Sequence, residues 1–435
     1  MLRVRRTRPH LDSLEGRYAP ATIRLIGGNL YISNNTGNLT VTATATNTFT
    51  VQDGLKAVTG LKAGHGVFIT SSNRKVETVT FDVADQLFTG NLFVNSRNGN
   101  DTVNLNGAAG GAINGNVTLL TGLGDDTVHN PQAGALTIRG SLTITDPAGV
   151  DSLDMFNSVN GSDLLGGNLT VVGYNAITIG GGADTIRGSI NLSTPSDGQT
   201  VTVVLGDGLA VGKNVTVLGG GQNDSFNLGA VNISGDLAVN FGGGAQNDFD
   251  LATSAGGATV AGNTSLSSSS PSGTLTNNSG PFTTAGNFRV ALGDGNYLLM
   301  LGAGGLVNVA GDFTLTAGNG DMAAGFLLGN VGGNVNVTFG NGDNDFQVFN
   351  APGGTVNWLS GNGRNRLVLG TGLGSGGSFV VNARFGSGDD ELVLDTGATD
   401  TLSGVIDFGG DSGAGDTLTV NSGLLSPDLV IVGLP

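Results

Sequence analysis

Gly333–Val348 reads GNVNVTFGNGDNDFQV, and Gly212–Leu228 reads GKNVTVLGGGQNDSFNL. Each stretch opens on Gly, alternates apolar and polar residues, passes a Gly-rich turn ending in Asn or Asp, and alternates again. Alternation of period two is the mark of a strand with one buried face. The Gly and Asn/Asp cluster is turn chemistry. The same pattern recurs to the end of the chain. Fourteen opening glycines can be marked, from Gly90, Gly115 and Gly140 to Gly377 and Gly404, at a mean spacing of about 24 residues. A drifting period of this size belongs to stacked supersecondary units whose insertions fall in turns.

Each unit divides into three segments. A strand follows the opening Gly, as in Asn168–Val172. A second follows the turn, as in Phe226–Leu228. A short third segment returns to the next Gly, as in Val231–Ile233. Three unequal strands per repeat predict an all-β solenoid, a parallel and right-handed β-helix of about 24 residues per coil. A stack of antiparallel hairpins is the rival, but it favours equal strands joined by two-residue Asn-Gly turns. Gly is 78 of 435 residues, yet the every-third-residue spacing of collagen is absent. With 38% apolar and 12% charged residues the chain is not of disordered composition.

The expected organisation is a basic leader over residues 1–22, irregular capping coils over 23–89 and regular repeats over 90–435. Residues 1–89 carry 10 Lys/Arg and 6 Asp/Glu, whereas the remainder carry 8 and 28. An acidic body argues against nucleic acid as a partner, since phosphate needs Lys and Arg. The chain has no cysteine, which excludes disulfides and thiolate metal sites. No apolar run reaches the length of a transmembrane segment.

Leu11–Thr22 reads LDSLEGRYAPAT. It resembles the LExLEDR…PAT leader of large secreted and surface repeat proteins of planctomycete bacteria, with Asp12 in place of Glu and Gly16 in place of Asp. The resemblance implies export and an extracellular or cell-surface address.

The residue after the turn is the candidate site. Asp101, Asp126, Asp151, Asp184, Asp224, Asp248, Asp345, Asp390 and Asp416 are read as one column. Thr121–Val128 and Phe385–Leu392 fit x-G-x-G-x-D-x-U, with U apolar, and resemble half of the calcium-binding nonapeptide of RTX proteins. That likeness implies Ca²⁺ held by carboxylates of neighbouring turns. In the RTX pattern the nonapeptide runs in tandem, whereas here it occurs once per repeat. The competing reading is that Asp and Asn bond their own backbone and hold the turn. Arg364 and Arg366 fall between Asp343/Asp345 and Asp389/Asp390, predicting an ion-pair ladder. Ser267–Ser270, followed by Pro271, reads as a bulged coil or hinge.

Three functions are weighed. The favoured one is a secreted or surface structural protein, acting in adhesion or an envelope layer, partnered by envelope or matrix components and by its own copies end to end. The second is a calcium-binding module. The third is a polysaccharide lyase or hydrolase. Paired carboxylates recur with the repeat, whereas a catalytic site should break it. Trp358 and Tyr297 are too isolated to form a sugar-stacking platform.

Overall fold

The computed structural model describes residues 21–35, 37–72, 76–130, 134–157, 162–194, 199–327, 329–370, 377–409 and 415–434. The leader-like Leu11–Pro20 lies outside them. Thr22, placed in the expected leader, belongs to a strand, Thr22–Ile26.

The described residues form an all-β solenoid of about 14 turns. Their strands fall into three sheets, two long and one of 11 short strands. From Gly66–Ser71 onward every strand pairs in parallel with its counterparts in neighbouring coils. Val335–Phe339 pairs with Phe313–Ala317 below and Val356–Leu359 above. The repeat therefore folds as its periodicity predicts: one unit buries too little alone, and stacking makes the core continuous.

Alternation sets the faces. Along Val335–Phe339, Val335, Val337 and Phe339 are buried, and Asn336 and Thr338 are half-buried on the outside. The inward Val, Leu, Ile and Phe of all coils merge into a single core. Aromatics stack within it, Phe385 on Phe408 with ring centroids 5.1 Å apart. Trp358 packs between Phe339 and Phe385 at 5.2 and 5.9 Å. Both Trp358 and Tyr297 are thus core residues.

Two glycine columns let the coils approach. A Cβ on Gly115 would lie 2.2 Å from the Gly90 carbonyl oxygen, backbone resting on backbone. In the G-x-G turns, Gly122 takes φ +107° and Gly124 φ +136°, conformations that favour glycine.

Several features depart from the sequence reading. The first column ends at Gly354: Gly377 lies two residues before the corresponding Phe379, and Gly404 lies inside Thr401–Asp407, opposite Val381. The third face stops at Gly329–Val331, and the described coils beyond it keep two strands. The opening coils contain antiparallel pairs. Thr22–Ile26 pairs with Asn29–Asn35, and Asn38–Ala45, Thr48–Asp53 and Lys56–Lys62 form a meander. The serine run is no bulge. Thr264–Ser268 and Ser272–Thr276 continue the stack, and buried Ser268 and Ser270 join hydroxyls at 2.9 Å. Asn247 Nδ2 donates to Ser268 Oγ at 3.0 Å.

Candidate functional site

The alternation that buries Phe226 and Phe346 also buries the residue two positions earlier. Asp101, Asp126, Asp151, Asn175, Asp224, Asn247, Asn344, Asn365, Asp390 and Asp416 occupy this place, each two residues before an inward apolar side chain. Their carboxyl or amide groups point into the corner of the coil. There the Oδ1 accepts a backbone N–H from the preceding coil, except at Asn365, whose Oδ1 accepts the Asn344 side-chain amide at 2.9 Å. Asp101 N donates to Asp126 Oδ1 at 2.6 Å, Asp126 N to Asp151 Oδ1 at 2.7 Å, and Asp151 N to Asn175 Oδ1 at 3.0 Å. Farther along, Asp224 N donates to Asn247 Oδ1 at 2.9 Å and Asp390 N to Asp416 Oδ1 at 3.0 Å. A corner breaks the sheet's hydrogen bonding, and the ladder supplies the missing acceptor to an otherwise stranded buried N–H.

Three residues expected in this column stand elsewhere. Asp248 and Asp345 are half-buried on the outer side of their strands, because Asn247 and Asn344 take the inward place. Asp184 belongs to another corner, before the third-face strand Thr185–Ile186. It accepts the Asp163 N–H at 2.8 Å, while Asp163 accepts that of Leu136. Asp163 was not anticipated. Counting back two residues from the first inward apolar residue identifies both columns. Choosing the first acidic residue after the turn slips the register by one.

A second set of ladders runs outside and in the opposite sense. Asn91 Oδ1 accepts from Asn116 N at 2.8 Å, and Asn116 Oδ1 from Ser141 N at 2.9 Å. Asp125 Oδ1 accepts from Val150 N, and Asp343 Oδ1 from Arg364 N. These side chains hold the next coil rather than their own turn. Asn247→Ala is expected to cost about 1–3 kcal/mol, because it strands the buried Asp224 N–H; Asn116→Ala, at an exposed corner, should cost less, about 1 kcal/mol. Chemical denaturation of the two variants checks this, and equal losses would contradict the inner ladder's larger role.

The charged outer face is sparse. Arg366 lies between Asp345, 3.3 Å away, and Glu391, 2.9 Å away. Glu391 takes the place expected of Asp390, which turns inward. Pairs this exposed contribute about 0–1 kcal/mol each. Asp321, Asp343, Arg364 and Arg366 line a shallow depression of about 240 Å³.

Among the described residues the buried ionisable side chains of Asp, Glu, Lys, Arg and His are Glu77 and nine aspartates, with no Lys, Arg or His. Burial pushes Asp101 and Asp224 up to about 6, with backbone N–H donors partly offsetting it. It raises Glu77 and Asp184 likewise. Burial, reinforced by the neighbouring Asp146 carboxyl, pushes Asp126 up to about 8. Burial also raises Asp146 and the Tyr174 phenol.

These groups meet in one corner. Carboxylate oxygens of Asp126, Asp146 and Asp151 lie within 4.8 Å of one another, all three residues buried. Thr121 Oγ1 donates to Asp146 Oδ2 at 2.5 Å and lies 3.0 Å from the Tyr174 hydroxyl. The inward ladder does not reproduce the turn-surface calcium geometry implied by the RTX likeness, since its carboxylates face the core and bind backbone. No helix among the described residues is long and apolar enough to cross a membrane. No protein-family model matches the chain, and no curated protein matches it.

Proposed function

We propose that this chain is a non-catalytic structural protein of the cell surface or extracellular space, a stiff acidic rod for adhesion or an envelope layer. The observation that carries the reading is the continuity of the core from coil to coil, with Asn/Asp ladders joining runs of successive coils. Neighbouring coils are joined by strand pairing and by Asn/Asp bonds at their corners. Such a stack resists bending. With about 4.8 Å between coils, about 14 coils give a rod of roughly 65 Å.

The ladder carboxylates support this reading over catalysis. Their Oδ1 atoms bind backbone N–H groups in the core, where no substrate reaches them. Glycoside hydrolysis needs two carboxylates flanking an open cleft, and the charged surface depression is shallow. The leader-like Leu11–Thr22 supports export.

Contact between copies end to end belongs to the same reading. Leu424, Leu425, Val430 and Val432 of the final strands are about half exposed. Residues 377–435 carry one Arg and nine Asp/Glu, whereas the meander at the other end carries Lys56 and Lys62. Edge strands of complementary charge are suited to head-to-tail pairing.

Antibody labelling of intact cells of the source organism tests the address. Labelling before lysis is expected. Signal that emerges only after lysis would refute the surface assignment. Light scattering at rising concentration, with association weakened by salt, tests the end contacts.

A further inference from the structure

The corner around Asp146 departs from the repeat in two ways. Strand register continues through the column of Ser96, Thr121, Asp146, Gly173 and Thr194. The neighbours are Ser, Thr or Gly, and later coils continue the column with Phe241, Ser268 and Leu292; Asp146 alone among these places a carboxylate there, 2% exposed. One coil on, the turn shortens. Six residues separate Leu142–Thr145 from Ser152–Met155, but only Gly173, Tyr174 and Asn175 separate Leu169–Val172 from Ala176–Ile179. The short turn draws Tyr174 wholly inside, with its hydroxyl on Thr121. A repeat that serves only stacking has no need of either change.

The electrostatics point the same way. Three carboxylates share a sealed corner, and no basic side chain is buried among the described residues. Asp126 Oδ1 and Asp151 Oδ1 each accept a ladder N–H. Asp126 Oδ2 is shut off from solvent and accepts no N–H. The group beside it is the Asp146 carboxyl, so the two can coexist only across a cation or a shared proton. Burying several ionised carboxylates together requires a compensating positive charge. A cation enclosed between them supplies it in full, whereas a shared proton neutralises only one.

We propose that Asp126, Asp146 and Asp151, bordered by the Thr121 and Tyr174 hydroxyls, enclose one hard divalent cation of the calcium class within the core. The donors are all oxygen and three are carboxylates, which suits calcium and disfavours zinc or copper, whose sites draw on imidazole or thiolate. The ion would tie together three successive coils, those of Asp126, Asp151 and Tyr174. This site differs from a turn-surface calcium ladder: it is single, internal and built on the off-repeat Asp146. It is independent of the rod assignment, which stands or falls on cell-surface labelling.

The test uses the full chain, produced in calcium-supplemented medium and passed through metal-free buffer, which strips ions from exposed carboxylates. Elemental analysis then gives metal per chain. About one calcium per chain is expected, because an enclosed ion leaves slowly. Asp146→Thr installs the residue found one coil earlier at Thr121, so its fold should be retained; Asp146→Asn is the isosteric companion. Circular dichroism establishes that both are folded. Both should lose the ion and melt at a lower temperature than the calcium-loaded parent. A folded parent without stoichiometric metal, whose melting shifts with pH but not with calcium, would overturn the proposal in favour of a shared proton. Unchanged metal content in the Asp146 variants would overturn it too.

Discussion

Gly122→Ala is expected to unfold the coil that contains it, at a cost above about 4 kcal/mol. An added Cβ would lie 1.2 Å from the Arg97 carbonyl oxygen, and φ is +107°. The clash is with backbone, which cannot rotate away as a side chain can. The positive φ adds strain of its own. Stacked coils are stabilised by their neighbours, so the loss spreads to both sides. Gly221→Ala is the matched control. Nothing lies within 4 Å of the added Cβ there, and φ is unexceptional. Its stability should stay within about 0.5 kcal/mol of the parent. Thermal melts of the two variants decide the matter. Were the Gly122 variant to melt with the parent, the close approach of coils at this turn would be refuted.

Stability should fall as pH rises from about 4 to about 6, and this is the second large effect. The sign follows from proton binding. Asp224 is pushed up to about 6 by burial, against an ordinary value of 3.8. Between those values the folded state holds a proton that the unfolded state has released. Stability is therefore full below the unfolded value and declines as pH rises through the folded one. A shift of this size corresponds to about 3 kcal/mol. Asp101, also pushed up to about 6, acts in the same direction. Exposed carboxylates add to the trend, since the net charge of −16 makes repulsion grow as they ionise.

Asp224→Asn isolates the buried contribution. The chain already uses Asn at this place in the next coil, where Asn247 Nδ2 donates to the Gly242 carbonyl at 2.9 Å. An amide at 224 would still accept the Val201 N–H that Asp224 Oδ1 accepts at 3.2 Å. The variant should melt higher than the parent at pH 8, by roughly 3 °C, and match it near pH 4. A lower melting temperature at pH 8 would show that the carboxylate is stabilised in its ionised form.

Much of the site was legible from the residues, within a limit set by parity. Asp101, Asp126, Asp151, Asp224, Asp390 and Asp416 were found in their shared column because they recur two places before an apolar residue. Asp248 and Asp345 do not belong to it, because the turn offers two adjacent polar residues and alternation sends only one inward. Asp184 was misplaced because two corners of the coil share the motif D-T-apolar. The direction of the side chains is not legible in the residues. Turn chemistry alone puts Asp on the surface, and only a stacked neighbour can offer a buried N–H in its place.

The sequence by itself determined the class of fold. Its period of about 24 residues, its alternation and its glycine turns each demand stacked strands, and these are local properties that every coil repeats. Only the tertiary structure decided what the polar residues do. The ladders, the antiparallel opening coils and the meeting of Thr121, Asp126, Asp146, Asp151 and Tyr174 join residues from different coils. Contacts of that kind depend on turn lengths and on register between coils. A difference of three residues in one turn brought Tyr174 into the core, and no periodicity within a single coil records it.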